Sequence, residues 1–421
     1  MLRSRDWVIL WVLSGGVAVA VAAPPSTEEM ATTVTALKSR LKDATNRLAE
    51  LEDRLARQDT SLAKLAKEMA ADAATQSIGP TWMENLKFYG DLRLRYQNDC
   101  KHGEGRSRRP KMRNRARFRL RFGIKKTWLD DQFEVGFRIA SGEPEDEQDG
   151  HFPDESDPTS TNQTFTNYFS EKRVWIDRAY AKYKPKAIKG LTFIGGKMGT
   201  PMVHTDLVWD SDVNPEGFWG EYKKAFGPIE PFVSTGYFVV DESSSGDDVT
   251  LAAYQVGMNW EIAKDVKWTF AATYYDYDET NEMVGEYQMI NLTNKVGFKA
   301  FGLPWSVYVD FVHNCRNETV GEYEDEDDGI ALGVKLGRNK KKGDWSVGYK
   351  YAYIEQYCTP RLFNDSDFGR TNTKGHCIGA KYNVTDFLTL GGKVFLLDGI
   401  AGSSYDEHEN VLTQIDLVWK F

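Results

Sequence analysis

Arginine occupies every second position between residues 113 and 121. Successive side chains of a β-strand point to opposite faces, so this spacing places all five guanidinium groups on one face. The positions between them include Phe118, Leu120 and Phe122, which makes the opposite face apolar. A guanidinium keeps its charge at any physiological pH and is weakly hydrated, so a row of them suits the recognition or guidance of anions in water.

A charged face of this kind needs further strands to hold it. Short segments with the same alternation run from Leu86 to Phe421, joined by alternately long and short connections. We therefore expect an all-β fold, a transmembrane antiparallel β-barrel of about 16 strands, because each strand must cross the same bilayer and return. A soluble sandwich would explain one such strand but not the repetition. The predicted strands are 86–97, 113–126, 131–140, 173–184, 191–199, 216–224, 229–240, 250–262, 266–276, 292–301, 303–313, 329–338, 343–355, 374–383, 386–397 and 411–421.

The connections predict which end of the barrel faces which side of the membrane. Connections after odd-numbered strands are long, such as 141–172 and 356–373, whereas those after even-numbered strands are short, such as 263–265. Short turns are expected at the periplasmic end and long loops outside the cell. Tryptophans fall near the short-turn ends, where an amphipathic ring prefers the headgroup level. They are Trp128, Trp260, Trp268, Trp305, Trp345 and Trp419.

The basic faces should line the interior of this barrel. The predicted pore-lining residues are Arg93, Arg95, Arg113, Arg115, Arg117, Arg119, Arg121, Arg138, Arg178 and Lys197. These cations either act on passing solutes or pair with Asp91, Glu134 and Asp177 as structural filler, and the sequence leaves both interpretations open.

The N-terminal quarter has a different pattern. Residues 1–22 combine Arg3 and Arg5 with an apolar run and a small-residue cleavage site, which predicts a signal peptide; a retained anchor is the alternative.

Residues 28–76 are predicted to form a coiled-coil helix, since apolar residues recur every seven positions. A single helix packed on the barrel is the alternative there. Residues 77–85, with Gly79-Pro80, form a linker to the barrel at 86–421. The heptad positions are Val34, Leu41, Leu48, Leu55, Leu62 and Met69.

Composition excludes several classes of protein. The mean hydropathy is −0.52, and no later segment is apolar enough for a transmembrane helix. The net charge of −9 is concentrated in connections, which argues against nucleic acid as a partner. The six histidines have no ligand spacing, so no metal site and no cofactor are predicted. Gly-x-Ser-x-Gly and His-Glu-x-x-His motifs are absent, so an enzyme is not expected.

The four cysteines make an even number in a chain with an export signal, which is consistent with disulfides. Three connectivities are possible. Cys358 and Cys377 flank one loop and are the preferred pair, which leaves Cys100 with Cys315.

The sequence resembles the Putative porin family of Gram-negative outer membranes, which is related to phosphate-selective porins. The resemblance rests on the segments 115–123, 137–142, 177–183, 195–198 and 207–217. It implies a sixteen-stranded barrel, usually trimeric, that admits small solutes by diffusion. It also implies that the connection 200–215 folds inward as a constriction loop, with Asp206, Trp209, Asp210 and Asp212 in it. The N-terminal helix is similar to the coiled-coil arms of some of these porins.

We therefore expect an outer-membrane porin, a water-filled channel for passive diffusion of small hydrophilic solutes and ions, with weak anion preference. The expected partners are these solutes, outer-membrane lipid and two further copies in a homotrimer. One alternative is a substrate-specific phosphate, anion or oligosaccharide channel. Another is an envelope tether, in which the coiled coil reaches the cell wall from a barrel anchor.

Overall fold

The computed structural model describes residues 27–75, 83–101, 111–143, 156–166, 168–244, 246–278, 287–316, 325–400 and 410–421. The predicted signal peptide and most of the predicted linker lie outside these residues. The chain divides into two units, Met1–Glu84 and Asn85–Phe421. The division falls one residue from the predicted start of the barrel.

Within its described residues, the first unit contains one long helix, α1, at Thr27–Thr75. Its heptad positions Val34, Leu41, Leu48 and Leu55 are exposed, and Leu41 is 70% exposed. An apolar stripe along a helix is normally covered by a partner. Among the helices that the structure describes, none has a stretch long and apolar enough to span a membrane.

The second unit is a closed antiparallel barrel of sixteen long strands and one two-residue segment, β4. Strand β1 pairs with both β2 and β17, which closes the ring. The strands are β1 Leu86–Lys101, β2 Lys111–Trp128, β3 Phe133–Ser141, β4 Gln163–Thr164, β5 Val174–Tyr183, β6 Leu191–Lys197, β7 Glu216–Lys223, β8 Ile229–Asp241, β9 Val249–Ala263, β10 Val266–Asp278, β11 Gln288–Ala300, β12 Leu303–Asn314, β13 Asp328–Gly337, β14 Trp345–Ile354, β15 Thr373–Asn383, β16 Leu388–Gly399 and β17 Asn410–Lys420.

Each of the sixteen predicted strands overlaps one long strand, so the predicted barrel is confirmed. Several strands are longer than predicted; for example, β1 continues to Lys101, and β11 begins at Gln288. Segment β4 was not predicted. It pairs with Arg117 and Phe118 on β2, in the place that β3 leaves vacant where it ends.

Alternation explains how the wall orients its side chains. On β2, Arg117 and Arg119 are buried inside the barrel, whereas Leu120 is exposed on the outer face. The register pairs Arg119 with Arg93 and Arg117 with Arg95 on β1, so two basic faces lie side by side. An apolar outer face suits lipid, and a polar inner face suits water.

The wall is lowest at β6 and β7, which have 7 and 8 residues. Residues 174–178 of β5 pair with β3, but no described strand lies on their other side. The wall therefore stays open beside five residues, a length of about 16 Å along the strand. The chain turns inward here, and the Met198 amide donates to the Pro215 carbonyl where β6 and β7 separate.

Candidate functional site

Two long connections fold into the barrel. The first inward loop, 198–215, joins β6 to β7, and its Leu207, Val208 and Trp209 are at most 2% exposed. Its residues contact three separate parts of the wall. Asp212 binds Arg121 on β2, the Val203 amide donates to Gln255 on β9, and Thr205 donates to Asp310 on β12. Contacts with such distant strands place the loop across the interior.

The second inward loop, 355–372, joins β14 to β15 and meets the first inside the barrel. The Asp210 amide donates to the Phe363 carbonyl at 2.7 Å. The Asn364 side-chain amide donates to the Leu207 carbonyl at 2.6 Å. The rings of Trp209 and Phe363 stack with their centroids 5.2 Å apart. These contacts hold the two loops together, and the sequence did not reveal that the second would fold inward.

Apolar packing fills one side of the interior. Leu207 and Trp209 of the first inward loop belong to the same buried cluster as interior side chains of β9 to β14. Those wall residues include Leu251, Tyr275, Met289, Val312, Ala331 and Ile354. At the level of the inward loops, this packing fills the interior beside those strands. The charged side of the passage at this level is formed by β1, β2, β16 and β17.

The wall of this passage holds a network of ion pairs. Asp91 on β1 accepts from Arg119 and Arg121, each at 2.7 Å. Arg95 binds Asp416 on β17 at 2.7 Å and Asp367 of the second inward loop at 3.2 Å. Buried charges need partners of this kind, because an unpaired one is costly. Many of the guanidiniums are thus paired with carboxylates, which is one of the two interpretations that the sequence left open.

Both inward loops carry the same tripeptide, Asp-Ser-Asp, at 210–212 and at 365–367. In each, the first carboxylate accepts from the backbone amide of the second Asp, at 2.7 Å and 3.1 Å. A space of about 90 Å³ lies between the two turns and the wall. The turns and Asp206 line one side of it, and Arg93, Arg95, Arg119 and Lys393 line the other. This small polar space thus has carboxylates facing cations.

The two carboxyl groups of the first turn differ in protonation state at neutral pH. Burial, together with Asp365 and Asp212, raises the pKa of Asp210 to about 9, so it is protonated at neutral pH. Burial would also raise the pKa of Asp212, but Arg119 and Arg121 outweigh it and hold that pKa below the usual value. Asp212 therefore stays ionised. At neutral pH the first turn carries one negative charge rather than two.

Raising the pH above 9 should therefore make the narrow space less favourable to anions, because Asp210 gains a negative charge beside Asp206 and Asp365 and opposite Arg93. Reversal potentials measured across a salt gradient from pH 7 to pH 10 would show the change. The control is Asp210→Asn, which cannot titrate at this position. An identical pH profile in both proteins would contradict the assignment.

The structure places nine of the ten predicted pore-lining residues on the inner face, and Lys197 on the outer face. In the strand register, Lys197 lies opposite Ala179 of β5. It is on the same face of β6 as the exposed Phe193, and its ammonium group binds Glu216 at 2.6 Å. Its prediction as a pore-lining residue is thus wrong, because alternation along β6 turns it outward. The nine are Arg93, Arg95, Arg113, Arg115, Arg117, Arg119, Arg121, Arg138 and Arg178.

Sequence reasoning missed a set of interior lysines near the short-turn end. Lys295, Lys335, Lys381 and Lys393 fall at inward positions of β11, β13, β15 and β16. None of the four forms an ion pair within the described residues. Their strands alternate less regularly than β2, but inward neighbours such as Thr293 and Cys377 were a usable signal.

All four cysteines are free, so the two predicted disulfides are not formed. Cys358 is buried against Gly329 on β13, whereas Cys377 faces inward on β15, and β14 stands between those strands. Cys100 on β1 and Cys315 after β12 are separated by five strands. Strands are about 4.8 Å apart, so that pair far exceeds the roughly 7 Å limit for a disulfide.

The family model described as "Putative porin" matches residues 108–300 and 279–421. The high-pH structure of Pseudomonas putida OprB is similar, with a TM-score of 0.56 and 12% identity over 80% of this chain and 94% of that chain. A triple mutant of the Rhodopseudomonas blastica porin gives a TM-score of 0.45 and 12% identity, over 80% of this chain and 100% of that one. No curated protein matches the sequence.

Proposed function

The chain belongs to the Putative porin family, and from that premise we propose that it is an outer-membrane channel through which small hydrophilic solutes and ions diffuse passively. The observation that carries the proposal is the polar passage narrowed by the two Asp-Ser-Asp turns opposite Arg93, Arg95 and Lys393. A narrow aqueous gap between opposite charges orients dipolar solutes and disfavours apolar ones.

Planar-bilayer recording of the purified protein tests this function. Discrete single-channel steps in potassium chloride are expected, with entry of small neutral solutes in liposome swelling. A folded protein that inserts but gives no steps would overturn the proposal.

The channel should prefer anions weakly. The charges around the narrow space nearly balance, since most guanidiniums there have carboxylate partners. The excess positive charge comes from the four interior lysines, Lys393 at the narrow space and the other three toward the short-turn end, which have no ion pair in the described structure. Their combined field raises the local concentration of anions in the passage. The Arg face also keeps a phosphate-specific or other anion-specific channel as the second candidate.

We further propose that three copies assemble. The open wall beside residues 174–178 would expose polar backbone groups to lipid, where each unsatisfied group costs several kcal/mol. A neighbouring copy would cover this wall, and association of the three helices would cover the leucine stripe of α1 as a coiled coil. If that arm reaches the cell wall it also tethers the envelope. A protein lacking residues 28–75 should keep its conductance and lose only this attachment.

Ile176→Arg should reduce the trimer fraction at least about fivefold, since it places a charge in the proposed interface. Native mass spectrometry in detergent would count the copies. Ile290→Arg is the matched control, because Ile290 is equally close to the long-loop end of an outward strand face on β11. A trimer that tolerates both changes, or neither, would contradict the assignment of this wall to the interface.

A further inference from the structure

The turn between β13 and β14 presents three consecutive lysines at the short-turn end. Lys340, Lys341 and Lys342 are exposed, and their ammonium groups have no partner among the described residues. The backbone beneath them is fixed. Asp344 accepts from the amides of Lys340 and Lys341 at 3.0 Å each, and Asp386 accepts from the amide of Lys342 at 2.6 Å. The turn is thus held in one conformation with its three cations directed to solvent.

A groove of about 710 Å³ lies beside this turn, between it and the short turns that precede β10 and β12. Its aromatic residues are Phe298, Trp305 and Trp345. The rings of Phe298 and Trp305 are nearly parallel, at 3°, with their centroids 6.1 Å apart, and Trp345 is 40% exposed. Phe298 and Trp305 oppose each other in the register on the outer, lipid-facing side of the wall. The groove therefore opens at the depth where headgroups lie.

Charge in and around the groove is predominantly positive. Arg338 and Lys340 line it, with Lys341 and Lys342 adjacent. Lys267 and Lys299 lie at its edge, at inward positions of β10 and β11. Its two carboxylates are Asp265 and Asp344. The backbone amides of Lys340 and Lys341 hold the pKa of Asp344 below its usual value, so that carboxylate is ionised but already accepts hydrogen bonds within the turn. Lys267 is paired with Glu261, and Arg338 lies 3.5 Å from Asp344. The three lysines of the turn remain as cations without a partner among the described residues.

We propose that this groove binds the headgroup of an anionic phospholipid in the leaflet that faces the short turns. The three lysines of the turn and the adjacent Arg338 would contact the phosphate, while the aromatic residues would contact the glycerol region and the upper acyl chains. Cations next to an anionic leaflet attract its lipids additively, and interfacial tryptophan positions them in depth. This inference depends only on the barrel lying in a bilayer, so it can fail while the proposed channel function holds.

Native mass spectrometry of the intact protein in detergent tests the site with cardiolipin, phosphatidylglycerol and phosphatidylethanolamine as probes. Retention of the two anionic lipids should exceed that of phosphatidylethanolamine. The combined variant Lys340→Gln, Lys341→Gln and Lys342→Gln should reduce anionic lipid retention about fivefold or more. The substitution Trp305→Ala with Trp345→Ala should also reduce it, although no charge is removed. Unchanged single-channel conductance would show that each variant is folded.

The matched control replaces Lys184, Lys186 and Lys189 by glutamine in the turn between β5 and β6. It removes the same charge at the same end of the barrel, next to strand ends that carry no tryptophan. Equal loss in both triple variants would mean general attraction and would overturn the site. Equal retention of the three lipids would overturn it too. Displacement of cardiolipin by inorganic phosphate or by soluble cell-wall fragments at equal concentration would identify a different occupant.

Discussion

Replacing Lys335, Lys381 and Lys393 together by glutamine is expected to convert weak anion preference into cation preference. Each is an inward-facing cation without an ion pair in the described structure, so its whole charge acts on the passage. Their removal takes Lys393 from the narrow space, so that Asp206 and the ionised carboxylates of the Asp-Ser-Asp turns outnumber the guanidiniums of Arg93, Arg95 and Arg119 there. We expect the anion-to-cation permeability ratio to fall about threefold or more. Reversal potentials across a potassium chloride gradient measure the ratio directly.

Lys197→Gln provides the control for that experiment. Lys197 was predicted to line the pore but points outward, where it binds Glu216. Its loss should leave the reversal potential unchanged. If the single substitution shifts selectivity as much as the triple one does, the inward assignment of the lysines is wrong. A preference that survives the triple substitution would instead assign selectivity to the arginines.

Trp209→Ala is expected to increase single-channel conductance at least about twofold. Trp209 is 2% exposed and stacks on Phe363, so its removal leaves a cavity at the contact between the two inward loops. Truncation of a buried aromatic residue typically costs about 3 to 5 kcal/mol, most of which would here be lost from the contact between the loops. The closed ring of strand pairs should survive. The loops would then move apart and admit larger solutes, which exclusion by polyethylene glycols of graded size would measure.

Phe218→Ala is the matched control, since Phe218 is an aromatic residue on the outer face and is 74% exposed. It should leave both conductance and size cutoff unchanged. If Trp209→Ala likewise leaves the cutoff unchanged, the constriction is held by other contacts. The hydrogen bond from Asn364 to the Leu207 carbonyl would then be the next to test.

The wall of the barrel could be predicted from the sequence because its chemistry is local. The side chains of a strand between lipid and water must alternate in polarity. The polarity of residues such as Phe118 and Arg119 therefore indicates the face on which each lies. Lys197 could have been placed by the same rule, since Leu191, Phe193 and Gly195 precede it on one face. That error came from reading charge as evidence of an inward position.

The interior could not be predicted to the same depth because the loops have no periodic pattern. The inward fold of 355–372 depends on contacts between residues more than 150 positions apart, such as Asn364 with Leu207. The repeated Asp-Ser-Asp was visible in the sequence, but only packing places the two copies at the same narrow space. The cysteines illustrate the same limit. Cys358 and Cys377 flank one loop in the sequence, but Cys358 lies against β13 and Cys377 is on β15, with β14 between these strands.

The contact between the two inward loops has a consequence for how the barrel is made. The first loop is complete after β7, but its partner follows β14, so the narrow space cannot form until most of the wall has been synthesised and brought together. A barrel that formed in the membrane without the second inward loop would be a wide pore that lacks its constriction. We therefore expect the strands to insert into the membrane together, after all of them have been synthesised.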